Sequence, residues 1–289
     1  MNYFFHILVM IGIYLILTQS LNIVMGYTGL LSICQAAFYG IGAYATALLM
    51  IKLGINFFIV VVLSIVICVI LSFVVAVPSL RLKGDYFVLA TMGFQTIIFS
   101  ILYNWVSFTR GPYGIPGIPS PSIFSFTFDT PGKYLILSTF FAIITIIFSF
   151  LITSTQFGRC LKAIREDELA TKVHGKNTTV FKTTAFAISA GMSAIAGALY
   201  ACYVTYIDPT SFTISESLFL VTILAIGGSG NLKGPIVGTI IMVILPEILR
   251  FLRIPDTIAP NIRMMLYALI LILLMRFRQK GIAGEYGFE

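Results

Sequence analysis

Charge is what this chain has least of. Asp, Glu, Lys and Arg supply 10% of its 289 residues and apolar side chains supply 58%, whereas a water-soluble domain carries about 25% charged residues. A soluble globular enzyme is excluded on that ground. The 18 basic residues outnumber the 11 acidic ones, but a nucleic-acid surface needs its cations clustered on a well-solvated face. Too little polar surface exists here for one, and no nucleic-acid partner is expected. Histidine is nearly absent, with only His6 and His174, which fall on opposite sides of the membrane in the topology derived below. No His-based catalytic pair can form from them, and no Gly-x-Ser-x-Gly elbow is present. The phosphate-binding pattern Gly-x-x-x-x-Gly-Lys-Ser/Thr is missing too, so the chain has no P-loop for ATP. Four cysteines, at 34, 68, 160 and 202, stand too far apart for a zinc or disulfide framework. The sequence thus points to no catalytic residue, no metal site and no cofactor held by this chain.

Long uncharged runs take up most of the chain. A helix needs about 20 mainly apolar residues to cross the hydrocarbon layer, and the first charge is Lys52. Met1 to Ile51 therefore holds two crossings, broken by Gly26-Tyr27-Thr28-Gly29. Leu53 to Leu80, Tyr86 to Thr109, Tyr134 to Gly158 and Thr183 to Ile207 each hold one. Beyond Asp208, Ser217 to Leu232 and Gly234 to Pro246 flank a glycine-rich turn, and Met264 to Met275 is a last apolar stretch. The expected fold is an all-α polytopic integral membrane protein of about nine transmembrane helices, one permease-sized domain over residues 1–289. The alternative for 217–246 is a single re-entrant element.

Charge placement orients that bundle. If the basic segment Arg159 to Lys182 is cytoplasmic, alternation gathers 12 of the 18 basic residues on its side, the excess the positive-inside rule requires. The N-terminus is then outside and the C-terminus cytoplasmic. Met1-Asn2-Tyr3 has no basic n-region, so the first helix is expected to be retained rather than cleaved.

Two connections are too polar to be simple turns. In the external loop 104–133, Gly111-Pro112-Tyr113-Gly114-Ile115-Pro116-Gly117-Ile118-Pro119-Ser120-Pro121 cannot continue a helix and predicts an ordered loop or extended segment. It is either a long surface connection or a docking surface or external gate. In the cytoplasmic segment 155–182, Leu161, Ile164, Leu169 and Val173 form a partial apolar stripe at helical spacing, which predicts a short surface helix stopped near Gly175. Glu168 and Lys172 stand in the favourable i, i+4 order. Anionic lipid heads could hold such a segment, but the run Glu166-Asp167-Glu168 would repel them, which favours a protein partner.

No carboxylate lies in the middle of a predicted helix, where ion-coupled transporters usually place one. The driving force should come from elsewhere. Neutral polar groups occupy the interior instead: Gln95, Asn22, Gln35 and Thr91 are the candidates for a substrate path, with Gln19 beside them, since amides can hydrogen-bond a zwitterionic or amide solute without burying a charge. Each could equally be glue between helices. Gln95, about ten residues into its run, is the first choice. Ser189, Ser193, Gly197 and Ala201 recur every fourth residue and predict a close helix–helix contact.

Several motifs in order resemble one family. Gly26-Tyr27-Thr28-Gly29-Leu30-Leu31-Ser32, Ala36-Ala37-Phe38-Tyr39-Gly40-Ile41-Gly42-Ala43-Tyr44 and Leu80-Arg81-Leu82-Lys83-Gly84-Asp85-Tyr86-Phe87 are similar to the permease subunits of ATP-driven branched-chain amino-acid importers, the LivH/LivM group, and more to its LivM side. Gly111-Pro112-Tyr113-Gly114-Ile115, Ala163-Ile164-Arg165-Glu166-Asp167-Glu168, Gly227-Gly228-Ser229-Gly230 and Pro246-Glu247 continue the match over nearly the whole chain. The resemblance implies a path for leucine, isoleucine or valine shared with a second homologous permease subunit, two cytoplasmic ATP-binding subunits that carry the ATP, and an extracytoplasmic solute-binding protein. It implies the lipid bilayer of a bacterial cytoplasmic (inner) membrane as the setting. It also places ATPase coupling on Arg159, Lys162, Ile164, Arg165, Glu166, Asp167, Glu168 and Gly175. Two departures stand out: four residues rather than three separate Glu168-Leu169-Ala170 from Gly175, and Gln35 stands where many relatives carry His. Urea or a short amide is the alternative solute. A stand-alone passive channel and an intramembrane enzyme are the rivals from other classes.

Overall fold

The computed structural model describes residues 2–82, 84–123, 126–251 and 281–284, with isolated positions 265, 269 and 272. Its helices are α1 (Asn2–Leu21), α2 (Gln35–Leu53), α3 (Phe57–Ser79), α4 (Asp85–Asn104), α5 (Val106–Thr109), α6 (Pro131–Ser154), α7 (Gln156–Glu166), α8 (Glu168–Val173), α9 (Thr178–Val204), α10 (Ile214–Gly227) and α11 (Lys233–Phe251). Among the described residues six are long and apolar enough to cross a membrane: α1 with its continuation to Gly26, α2, α3, α4, α6 and α9. The chain is an all-α, polytopic membrane protein. Residues 217–246 form two helices, α10 and α11, joined by the glycine-rich turn. With 14 residues, α10 is about 21 Å long, shorter than the hydrocarbon layer. The expected last crossing, Met264 to Met275, lies outside the described residues apart from the isolated positions.

Local sequence sets the helix ends. Asn56 begins α3 by accepting the Phe58 N–H at 3.1 Å. Thr130 caps α6, whose first residue is Pro131, where proline's missing N–H costs nothing. Asp167 accepts the N–H groups of Leu169 and Ala170 at 2.8 and 3.0 Å. The backbone of Asp167 is extended, so it ends α7 and begins α8 at once. The single helix expected over this segment is therefore two.

At 27 residues, α9 spans about 40 Å and forms the centre of the bundle, packed by α1, α2 and α3. The small-residue face predicted there does bring backbones together. A Cβ added at Gly42 would lie 2.6 Å from the Ala194 Cα, and one at Gly197 would lie 2.3 Å from the Tyr39 carbonyl oxygen.

The two ends of α9 separate the two polar connections. Near its start Phe181 stacks on Phe157 of α7. Near its end the Leu199 carbonyl accepts from the Tyr134 hydroxyl of α6 at 2.6 Å. The Pro/Gly-rich loop is ordered, as predicted: strand β1 (Ile115–Pro116) pairs antiparallel with β4 (Tyr206–Ile207), and β2 (Ser122–Ile123) pairs with β3 (Phe126–Thr127). The N–H groups of Gly117 and Ile118 both donate to the Thr205 carbonyl, at 3.0 and 3.2 Å. Residues 115–118 are thereby fixed to the end of α9, opposite α7 and α8.

Candidate functional site

A helix that begins inside the bundle defines the site. Gln35, the first residue of α2, contacts Ser189 and Ser193, which lie midway along α9. After α1, a π-helical turn runs from Asn22 to Gly26, and residues 29–34 follow without helical structure, with Ser32, Ile33 and Cys34 buried. Irregular backbone at membrane depth survives only when protein satisfies its polar groups. Here the Ile33 N–H donates to the Thr91 hydroxyl at 3.2 Å and the Ala36 N–H to the Ser217 hydroxyl at 3.0 Å. The Gln35 amide is held among Ser20, Ser189 and Ser193.

The four path candidates are all buried, and each already has protein partners. Gln95 Nε2 donates to the Phe212 carbonyl at 2.7 Å. Asn22 is shared with the turn after α10: its Oδ1 accepts from the Gly230 N–H at 3.1 Å and its Nδ2 donates to the Asn231 carbonyl at 2.8 Å. Thr91 and Gln95 occupy the inward face of α4 and are fully buried.

The other face of α4 is open. Gly93, Thr96, Ser100 and Asn104, three or four residues apart and so in one row, are exposed and line a groove together with Ile97 and Ile101. Thr96 and Asn104 spend a donor on their own helix, at the Met92 and Ser100 carbonyls. Sequence reasoning searched for amides at depth and passed over this row, although its spacing was visible as Gly-x-x-Thr-x-x-x-Ser-x-x-x-Asn.

The coupling candidates divide by direction. Ile164 and Leu161 of α7 are buried; Lys162 sits over the Tyr27 ring at 5.6 Å. The Arg165 guanidinium turns inward and donates to the Gly26 carbonyl. Asp167 is the cap between helices, and Arg159, Glu166 and Gly175 are exposed. Glu168 binds Lys172 at 2.9 Å, the predicted i, i+4 pair, and also Lys182 of α9 at 2.5 Å and the Thr178 hydroxyl at 3.0 Å. Burial works against ionisation of Glu168, but those hydrogen bonds outweigh it and hold the carboxyl down at about 2. The predicted apolar stripe does not continue into α8. Leu169 is 72% exposed and Val173 87% exposed, because the extended residue Asp167 restarts the helical phase. This apolar pair is an exposed surface of the segment.

Among the described residues no group of three or more His, Cys, Asp or Glu side chains is placed to hold a metal ion. Residues 3–275 match the family model described as "Branched-chain amino acid transport system / permease component". The chain is 32% identical to the high-affinity branched-chain amino acid transport system permease protein LivM of Salmonella typhimurium strain LT2, over 93% of this chain and 67% of that protein. It is equally similar, with the same coverage, to LivM of Escherichia coli strain K12. A probable branched-chain amino acid transport permease protein LivM from Methanocaldococcus jannaschii is 27% identical over 96% of this chain and 92% of that protein. No solved structure matches the chain. An interrupted membrane bundle with an amphipathic segment at one end and a continuous match to that model have one reading: the chain belongs to the family of permease components of branched-chain amino acid transport systems.

Proposed function

We propose that this chain forms half of the membrane path of an ATP-driven importer for leucine, isoleucine or valine, in the cytoplasmic membrane of a bacterium. A second, homologous permease subunit completes the path, two cytoplasmic ATP-binding subunits drive it, and an extracytoplasmic solute-binding protein delivers the solute. Nine crossings with the N-terminus outside and the C-terminus inside accompany this reading. The single observation that carries it is the exposed row Gly93, Thr96, Ser100 and Asn104 on α4. Polar groups on a membrane helix face a protein neighbour or water rather than lipid, and among the described residues nothing covers this row. A water-filled passage between two such subunits supplies both. The inward row of Thr91 and Gln95 stands behind it and holds α4 to the interrupted segment.

At the other end, Leu169 and Val173 offer an apolar contact to the ATP-binding subunits, with α8 kept in place by the Glu168 to Lys182 ion pair.

Reconstitution in proteoliposomes with the partner subunits and binding protein tests this reading. Uptake of radiolabelled leucine, isoleucine or valine is expected only with ATP inside. Ser100→Cys, in a chain whose native cysteines are replaced, should lose at least nine-tenths of that uptake on treatment with a methanethiosulfonate reagent, while Val66→Cys on α3 should keep it. Equal insensitivity of the two would remove α4 from the path, and uptake without ATP would support a passive channel.

A further inference from the structure

Two helices run from the β1–β4 end of the bundle towards α7 and stop at glycine: α1, through its π turn to Gly26, and α10, at Gly227. Their ends are locked together. Asn22 hydrogen-bonds both the N–H of Gly230 and the carbonyl of Asn231, and a Cβ at Gly26 would lie 2.8 Å from the Gly230 nitrogen. The segment 281–283 closes the knot. Its Ile282 and Ala283 N–H groups donate to the Ile226 and Gly227 carbonyls at 3.0 and 2.9 Å, and the Asn231 side chain donates to the Ala283 carbonyl.

One charged side chain from the α7–α8 segment reaches this knot. Arg165, in the last turn of α7, donates to the Gly26 carbonyl and lies 3.5 Å from the Ser229 hydroxyl. Its stem crosses Gly29, where an added Cβ would sit 3.1 Å from the Arg165 Cγ. The carbonyl end of a helix carries partial negative charge, and here the guanidinium meets the last carbonyl of one such end, Gly26, and the Ser229 hydroxyl in the turn that follows the other. Arginine suits the position because its planar guanidinium donates along fixed directions, here from one nitrogen to both partners, whereas lysine presents a freely rotating point charge. Leu161 also packs with Ile23 and Tyr27, but an apolar contact can slide, while a hydrogen bond to a fixed carbonyl is directional.

The α10 end leads back to α4. The Ser217 hydroxyl of α10 holds the Ala36 N–H that opens α2 and lies 3.5 Å from Gln95 Oε1 of α4. A continuous series of contacts therefore runs from Arg165 through the glycine knot and α10 to the helix whose outer face carries the polar row.

We propose that Arg165 is a positioning residue that transmits displacement of the α7–α8 segment to the joined inner ends of α1 and α10, rather than a contact for the ATP-binding subunits. The transport arm of the inference rests on the ATP-driven reading above; the clasp itself does not. Two measurements test it. In the full chain in lipid nanodiscs, with native cysteines replaced, spin labels at Val173→Cys and Leu218→Cys report the distance between α8 and α10. Arg165→Gln should broaden that distance distribution at least twofold, and Arg165→Lys should fall between the two. In the reconstituted complex, Arg165→Gln should lower ATP-driven leucine uptake at least tenfold while ATP hydrolysis stays within twofold and the ATP-binding subunits copurify in unchanged ratio. An unchanged label distribution overturns the clasp. Joint loss of copurification and hydrolysis overturns the positioning role, since a contact residue or a mere fold support would act that way. Were the unaltered complex to show no ATP-driven uptake, the functional reading would fail, and the label distribution would still decide the clasp.

Discussion

Helices α3 and α4 are consecutive and similar in length, 23 and 20 residues, yet they treat their polar groups in opposite ways. In α3, Ser64, Cys68 and Ser72 point into the bundle, and the exposed side is Ile59, Val62, Val66, Ile70, Phe73 and Val77. In α4, Thr91 and Gln95 point inward while Thr96 and Ser100 point outward. One helix has a single solvent-like side, the protein. The other carries polar groups on two sides, and among the described residues only the inward side is covered. Exposure alone therefore does not identify a lipid-facing surface, since both helices are about equally uncovered; the chemistry of what is exposed does.

The sharpest way to break this comparison is a charge on each open face. Val66→Lys on α3 should cost about 3 kcal/mol, the penalty for an ammonium near mid-bilayer on insertion scales, and should sharply reduce the folded protein recovered by size-exclusion chromatography. Ser100→Lys on α4, facing the groove that the proposed path would fill with water, should leave recovery within about twofold. Equal losses would make the two faces equivalent and end the distinction.

A smaller effect separates the two sides of α4. Gln95→Leu removes the donor to the buried Phe212 carbonyl, a loss of about 1–3 kcal/mol for a stranded acceptor. The expected result is a lower Tm with uptake per folded complex within twofold. Unchanged Tm with impaired uptake would mean that the solute runs along the inner face instead.

The smallest effect concerns Glu168, which lies outside the membrane. Its carboxyl is held at about 2, below its ordinary 4.5, so its contribution is complete above pH 4.5 and is lost as pH falls from there towards 2. Hydrogen exchange at 168–173, corrected for intrinsic rate, should be flat between pH 5 and 8. Glu168→Gln should raise that exchange at every pH in the range. A wild-type transition between pH 5 and 8 would point to another titrating group in control of α8.

Much of this architecture was written in the uncharged runs. The break after Gly26, the long helices α3, α4, α6 and α9 and the glycine turn at 227–230 could all be read from where charge and glycine fall. The start of α2 could not. Gln35 lies six residues after Gly29, and only the side chains of Thr91, Ser217, Ser189 and Ser193, distant in sequence, make a buried non-helical stretch tolerable there. The coupling segment was half legible. Asp167 is a recognisable cap residue, but treating 156–173 as one helix gave Leu169 and Val173 the same face as Leu161 and Ile164. On α4 the periodicity was present and the facing was not, because nothing local says which side of a helix its neighbours will cover. Arg165 shows the same limit: its charge was visible, its inward direction was not.

The contact between Gly42 and Gly197 has a mechanical consequence. Most helix pairs meet through side chains, whose rotamers can absorb a rotation of one helix against the other. Between α2 and α9 the glycines leave backbone against backbone at those points, with no compliant layer to take up shear. The pair is thus a stiff contact at the centre of the bundle. A methyl group added at either glycine would wedge this contact open rather than fill a gap, so slight widening there should be felt by every helix that rests on α9.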